Sequence, residues 1–397
     1  GVNIILWGAF SECKSLTRLT LPNSLTRIGS ITDGNNIIGA FVNCTSLKSV
    51  IVPPNITVFG PNTFKGCTGL ESVVLSYGLT ATGVSMFENC TNLTNVTLPE
   101  TITELGYGTF ENCYNLTNIN LPNSLITINN GAFRGCTSLE SIKIPNNVEV
   151  LEYQSFKGCT SLRTVTFPNK LESIYEAAFY GCSSLKSVEF PRSLKSIGKR
   201  AFYGAGLISV KIPSSVIEIG VDAFANCENL TSVVTSILPN TYDSFFGFGD
   251  SRSPIQSVTI EYGVSSIPAG AFQGFKELTD VTIPRSVESI GSVAFASCKS
   301  LESINIPYGV TSIGDKAFGE CDKLKKIIIP ASVKSIGSGI VYRCSEELEI
   351  YSYIKTPFEI EKPVDNTYET TTLYVPYGSK EEYKWVFDWR RFKNIVE

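Results

Sequence analysis

"GAFRGCTSLESIKIPNNVEVLEYQSFKGCTSLRTVTFP" (131–168) states nearly the same sentence twice. Phe133 and Phe156 stand 23 residues apart, and so do Cys136 and Cys159. Carried outward, the Phe recurs as Phe10, Phe41, Phe64, Phe87, Phe110, Phe133, Phe156, Phe179, Phe202, Phe224, Phe272, Phe295 and Phe318. Val341 holds the same register, and Phe246 is a degenerate marker between Phe224 and Phe272. Self-similarity at this period marks a repeat array, in which one unit cannot bury its own apolar face and neighbours must stack.

Within a unit the apolar positions keep fixed offsets from the Phe: Cys at plus three, aliphatic or Phe at plus six, nine, eleven, fifteen and eighteen, and Pro at plus twelve. In the unit of Phe156 these are Cys159, Leu162, Val165, Phe167, Pro168, Leu171 and Ile174. The stretch from plus six to plus eleven ends in period-two alternation of β-branched and aromatic residues, which predicts a short strand. Proline lacks an N–H and ends it. The second half, such as LESIYEAAF (171–179), predicts a short extended piece followed by a tight helical or 3₁₀ turn that carries the Phe.

The expected product is a curved solenoid. A parallel ladder of short strands would line its concave face, with the extended pieces and turns on the other. Residues 1–352 form an array of about fourteen such units and 353–397 a C-terminal cap. In the closing stretch Trp385, Phe387, Trp389 and Phe392 are expected to cover the open core edge, with Lys384, Arg390 and Arg391 facing water. Val2 and Ile5 already occupy the plus-fifteen and plus-eighteen registers ahead of Phe10, so the chain begins in mid-coil and the N-terminal end is expected to be truncated.

Composition removes several functions. Of 397 residues, 43% are hydrophobic and 18% charged, so the chain can bury a large core. A formal net charge of −4, with signs interspersed, offers no basic field for nucleic acid. No apolar run is long enough to span a bilayer. Histidine is absent, which removes Ser-His-Asp and Cys-His pairs and every His-containing zinc site. No D-x-D-x-D-G calcium loop, phosphate loop or diagnostic carboxylate pair is present, so neither a catalytic group nor a metal or other cofactor is expected.

The pattern quoted in CKSLESINIPYGVTSIGDKAF (298–318) resembles the BspA-type leucine-rich repeats of bacterial surface proteins. Markers from Phe10 to Val341 carry the resemblance over most of the chain, and TLYVPYGSKEEYKWVFDWRRFKNIVE (372–397) resembles the closing segment of such proteins from Bacteroidetes. The resemblance implies a leucine-rich-repeat-like, right-handed curved solenoid that serves as a non-catalytic protein-binding or adhesion scaffold, at the cell surface or secreted, recognising host or bacterial macromolecules. It also implies a lipid anchor through upstream sequence. The chain is expected to be monomeric.

Twelve cysteines ask for a role. Cys44, Cys67, Cys90, Cys113, Cys136, Cys159, Cys182, Cys227, Cys298 and Cys321, with Cys13, all follow a Phe marker by three, and Cys344 follows Val341. Coil spacing of ~4.8 Å would admit a disulfide. A uniform row, however, gives no rule for pairing, and collinear thiolates cannot surround one zinc ion. Ala205 and Phe275 stand in the cysteine register of two units, as a packing position permits and a ligand does not. The row therefore reads as a reduced structural ladder.

Function then falls on the strand face or where the repeat breaks. Outward positions at plus eight and plus ten give a polar strip containing Thr97, Asn118, Asn120 and Thr166, with Lys143, Glu189 and Lys211 as a charged centre. Such a strip suits an extracellular protein or glycan; the plainer account is that Thr and Val are there as good strand formers. One break is the insertion GSITDGNNIIGA (29–40). The other, SILPNTYDSFFGFGDSRSP (236–254), would place Tyr242, Phe245 and Phe248 at a loop tip beside Asp250 and Arg252. Aromatics there could recognise a partner or replace missing core markers. Tyr153, Tyr175, Tyr180 and Tyr203 make a possible stripe away from the concave face, and with the loop aromatics they support the alternative of a carbohydrate-binding accessory protein.

Overall fold

The computed structural model describes residues 1–29, 38–238, 246, 253–360 and 366–397. Two compact units divide the chain: Gly1–Leu207 with Ser215–Cys227, and Ile208–Ser214 with Glu228–Glu397. Each is a parallel-strand solenoid, with about 16 turns in all and almost no helix.

In the first unit the plus-eight to plus-ten residues pair as Ser49–Ile51, Ser72–Val74 and Asn95–Thr97, and again as Ser141–Lys143 with Thr164–Thr166. The register steps by one repeat, Thr164 facing Ser141 and Val165 facing Ile142. Alternation is as the sequence demands: Ser141 and Lys143 are exposed and Ile142 is buried. A second ladder joins two-residue strands near plus eighteen, running unbroken from Glu104–Leu105 through Thr127–Ile128, Val150–Leu151, Ser173–Ile174 and Ser196–Ile197 to Glu218–Ile219.

The Phe-bearing segments are turns and not 3₁₀ helix. In the coil of Phe156 the N–H groups of Lys157, Cys159 and Leu162 each donate to a carbonyl three residues back. Gln154 and Gly158, two residues either side of Phe156, have φ of 55° and 75°. Left-handed residues at these two places interrupt any run of right-handed dihedrals, so the turns cannot fuse into a helix. They also aim alternate N–H groups at the next coil: Gly131 donates to Tyr153 O (2.9 Å), Phe133 to Ser155 O (2.8 Å) and Gly135 to Lys157 O (2.7 Å). A third inter-coil ladder thus exists without β dihedrals, satisfying backbone that burial would otherwise leave costly.

The Phe rings stack along the interior. From Phe10 through Phe224 consecutive centroids lie between 5.1 Å (Phe10–Phe41) and 5.7 Å (Phe64–Phe87), with near-parallel planes. In the second unit Phe272, Phe295 and Phe318 repeat this at 5.2 and 5.6 Å. Phe246 is buried there, as a marker should be, and Phe275 packs edge-on between Phe246 (6.1 Å) and Phe272 (5.7 Å).

The coil of Phe202 is one residue short of the period, and Gly206 absorbs the loss. A Cβ at Gly206 would lie 2.0 Å from Ser183 O, so the corner can tighten only because no side chain is there.

The second unit ends with Ser303–Asn305, Lys326–Ile329, Glu349–Ser352, Thr372–Tyr374 and Asn394–Val396 in one parallel sheet, and a six-residue helix, Lys380–Trp385. Trp389 and Phe392 are buried as expected, but Trp385 is 84% exposed and Phe387 51%. Helical phase explains the difference, since the short helix turns Tyr383 inward and Trp385 outward. The Tyr383 hydroxyl donates to Ile354 O (2.8 Å) and meets Ser352 Oγ at 2.6 Å. Arg390 and Arg391 lie over the outward Phe387 ring at 4.5 and 5.1 Å.

Candidate functional site

The strand face of the first unit is not a uniform sheet. Residues 118–120 and 187–189 fall in the strand register yet form no strand. Among the described residues, no backbone N–H or C=O of 118–121 or 187–190 bonds to another backbone group. The second ladder crosses these same coils without interruption. The coils are therefore held together through the plus-eighteen strands and the turns, while the first strands part. Local chemistry favours parting here: the outward pairs are Asn118 with Asn120 and Ser187 with Glu189, and Asn and Glu are poor strand formers.

Each parting opens a slot. One, of about 350 Å³, is lined by Asn118, Asn120, Asn123, Ser141 and Lys143. The other, of about 290 Å³, is lined by Thr164, Thr166, Phe167, Ser187 and Glu189. Between them the paired strands Ser141–Lys143 and Thr164–Thr166 form a ridge. Lys143 and Glu189 are exposed, and among the described residues neither enters a salt bridge. Thr97, on the outer paired strand, is exposed as well.

Other sequence-picked residues are placed differently. Lys211 lies in the second unit and reaches Glu261 at 3.4 Å, so its charge is answered within that unit. Tyr242, Phe245, Phe248, Asp250 and Arg252 lie outside the described residues. The four tyrosines form two pairs and not one stripe: Tyr153 with Tyr175 at 5.1 Å, tilted, and Tyr180 with Tyr203 at 4.8 Å, stacked. Two registers are involved, one before the Phe marker and one just after it.

Sequence reasoning passed over a cluster in the second unit. Tyr351 and Tyr374 stack at 4.4 Å, both hydroxyls donate to the Glu349 carboxylate (3.0 and 3.3 Å), and Lys326 Nζ sits 4.6 Å from the Tyr351 ring centre. The hydrogen bond to Glu349 holds the Tyr351 phenol above its ordinary pKa, since ionisation would set two negative charges together. The signal was available, because IYSY and LYVPY place Tyr in the plus-ten register of consecutive coils.

Among the described residues, which include every cysteine, no disulfide forms. From Cys44 onward, each thiol donates to the carbonyl of the Phe marker one coil earlier: Cys113 to Phe87 (3.2 Å), Cys136 to Phe110 (3.1 Å), Cys159 to Phe133 (3.2 Å), with the others between 3.1 and 3.3 Å. In the regular coils that carbonyl also accepts the N–H of its own coil's cysteine, as Phe133 O does from Cys136 at 3.2 Å. Burial pushes the thiols of Cys136, Cys182 and Cys227 up to about 12. They are poor nucleophiles. Among the described residues no group of three or more His, Cys, Asp or Glu could hold a metal ion, and no helix is long and apolar enough to cross a membrane.

The family described as "BspA type Leucine rich repeat region" matches residues 1–117, 38–163, 103–231 and 244–364. The chain belongs to that family. Among solved structures, a leucine-rich repeat protein from Bacteroides ovatus ATCC 8483 is 29% identical, with 82% of this chain and 86% of that chain covered and a TM-score of 0.65. A leucine rich repeat protein of T. pallidum is 30% identical over 47% of this chain and 75% of its own, with a TM-score of 0.32. No curated protein matches the chain. Family and neighbours are leucine-rich-repeat scaffolds, generally non-catalytic and typically surface-exposed, and membership suggests a scaffold for protein interaction.

Proposed function

We propose that this BspA-type solenoid is a non-catalytic adhesion scaffold at the cell surface, binding a host or bacterial protein across the strand face of its first unit. The observation that carries the reading is the set of two polar slots flanking the paired strands Ser141–Lys143 and Thr164–Thr166. Backbone groups without backbone partners, amides and hydroxyls held on a rigid frame offer many hydrogen bonds with little ordering cost at binding. Residues 353–397 serve as a cap, with Tyr383, Trp389 and Phe392 filling the end of the core. Lys326, Glu349, Tyr351 and Tyr374 form a candidate secondary contact on the second unit.

The test is binding to a panel of immobilised matrix and bacterial surface proteins, run beside a glycan array. A Thr97→Arg/Asn120→Arg/Thr166→Arg variant, whose three sites are all exposed, should fold normally and lose at least tenfold in affinity for the protein that the unmodified chain captures. Unchanged affinity would remove the strand face from the mechanism, and binding confined to one oligosaccharide would replace the reading altogether.

A further inference from the structure

Resting on that reading, we propose that the two slots hold one extended polypeptide segment of the partner, laid across the coils, with an acidic side chain on Lys143 and a basic side chain on Glu189. The partner class follows from what the slots present. Their floors are backbone edges without backbone partners at 118–121 and 187–190, alternating donors and acceptors in the way a second polypeptide does. Their walls are neutral amides and hydroxyls: Asn118, Asn120 and Ser141 in the first, Thr164, Thr166 and Ser187 in the second. Each slot carries one charge, and the two are opposite.

That pairing of charges narrows the field. A nucleic acid would meet Glu189 with its phosphates, and a neutral or acidic glycan could answer that carboxylate only with hydroxyl donors and no positive charge. Phe167, the one aromatic lining either slot, is buried, so no open ring is offered for a sugar to stack upon. A polypeptide supplies backbone hydrogen bonds and both signs of charge in one molecule.

Spacing sets the pattern the segment must carry. Lys143 and Glu189 belong to coils two steps apart, which is about 10 Å at ~4.8 Å per coil. An extended chain advances ~3.3 Å per residue, so the acidic and basic residues should stand about three apart. The ridge of Ser141–Lys143 and Thr164–Thr166 lies beneath the residues between them. Salt should weaken binding, because both charges are exposed.

The experiment uses the full chain and blocked, fluorescent nine-residue peptides on a Ser/Thr background. One set carries Asp and Lys three apart in either order, and the others carry two Asp, two Lys, or no charge. Fluorescence anisotropy at low and physiological salt should show at least one of the mixed-charge peptides binding tenfold or more tighter than the neutral one. Lys143→Glu should shift preference to the two-Lys peptide, and Glu189→Lys to the two-Asp peptide. Both sites are exposed strand-register positions, and far-UV circular dichroism confirms folding of each variant.

Failure of any mixed-charge peptide to bind, or variants that keep the original preference, overturns the proposal. Loss of partner binding in the triple-arginine variant, with no charge-dependent peptide binding, would leave the strand face as the docking surface and reject the extended-segment mode alone.

Discussion

Replacing Cys159 by alanine removes one rung of the thiol ladder and nothing else of size. Cys159 is fully buried, and its thiol donates at 3.2 Å to Phe133 O, which also accepts the Cys136 N–H at 3.2 Å. The carbonyl is thus left with one partner and is not orphaned. A neutral hydrogen bond contributes about 0.5–1.5 kcal/mol net. Adding the smaller apolar surface and the small void, the expected loss is about 2 kcal/mol.

The reciprocal change is already set up by the chain itself. Ala205 sits in the cysteine register at 2% exposure, where the corresponding acceptor is Phe179 O, and Ala205→Cys should add about 1 kcal/mol. Urea unfolding followed by far-UV circular dichroism reads both, as a shift in midpoint at constant slope. Hydrogen exchange over residues 133–182 should localise the Cys159→Ala effect to adjoining coils, because repeat stability is dominated by nearest neighbours. If Cys159→Ala costs less than a few tenths of a kcal/mol, or Ala205→Cys destabilises, the thiol is only filling space and the hydrogen-bond account fails.

A thiol reagent at pH 8 should modify exposed Cys13 in the native chain and reach the buried cysteines only on unfolding. Because burial raises Cys136, Cys182 and Cys227 from near 9 to about 12, the stability tied to their protonated thiols is complete below pH 9 and is lost as pH rises towards 12. Each should contribute a loss of ~1.4 kcal/mol per pH unit in that window, visible as alkaline unfolding. Phe156→Ala, which breaks two ring stacks at 5.3 Å, should cost about 3–5 kcal/mol in the same urea assay. Tyr383→Phe should cost about 1–2 kcal/mol by leaving buried Ser352 and the Ile354 carbonyl short of a partner, whereas Trp385→Ala should change stability by less than ~0.5 kcal/mol; Tm shifts compare them.

Much of this architecture could be read before any coordinates. Phe133, Cys136, Leu139, Ile142, Ile144, Val148 and Leu151 are all buried, and each was placed by its offset from the marker. Such reading works because every coil repeats the same burial problem, so irregular copies such as Phe275 are controls on the regular ones. The helical expectation for the turns missed the left-handed residues, since Gln154, Ala177 and Arg200 carry no side-chain signature of positive φ. The parted strands were also hidden. Asn120 and Glu189 are poor strand formers, but Asn305 stands in the same register and does sit in a strand, so residue type at this position does not mark the breaks. In the closing stretch, a count of aromatics could not tell Tyr383 from Trp385, because orientation there depends on where a six-residue helix begins.

The three inter-coil ladders make the repeat length itself a unit of change. Removing or duplicating one whole coil would rejoin every ladder in register, leaving the seam chemically like its neighbours. Losing a single residue would instead shift side chains to the wrong face of a strand or misalign the turn ladder. The shortened coil of Phe202 shows where the rule relaxes: the missing residue is taken up at Gly206, whose N–H still reaches Cys182 O of the preceding coil at 3.2 Å. Length in this scaffold can therefore vary in whole-coil increments at little energetic cost, and insertions smaller than a coil belong at such corners.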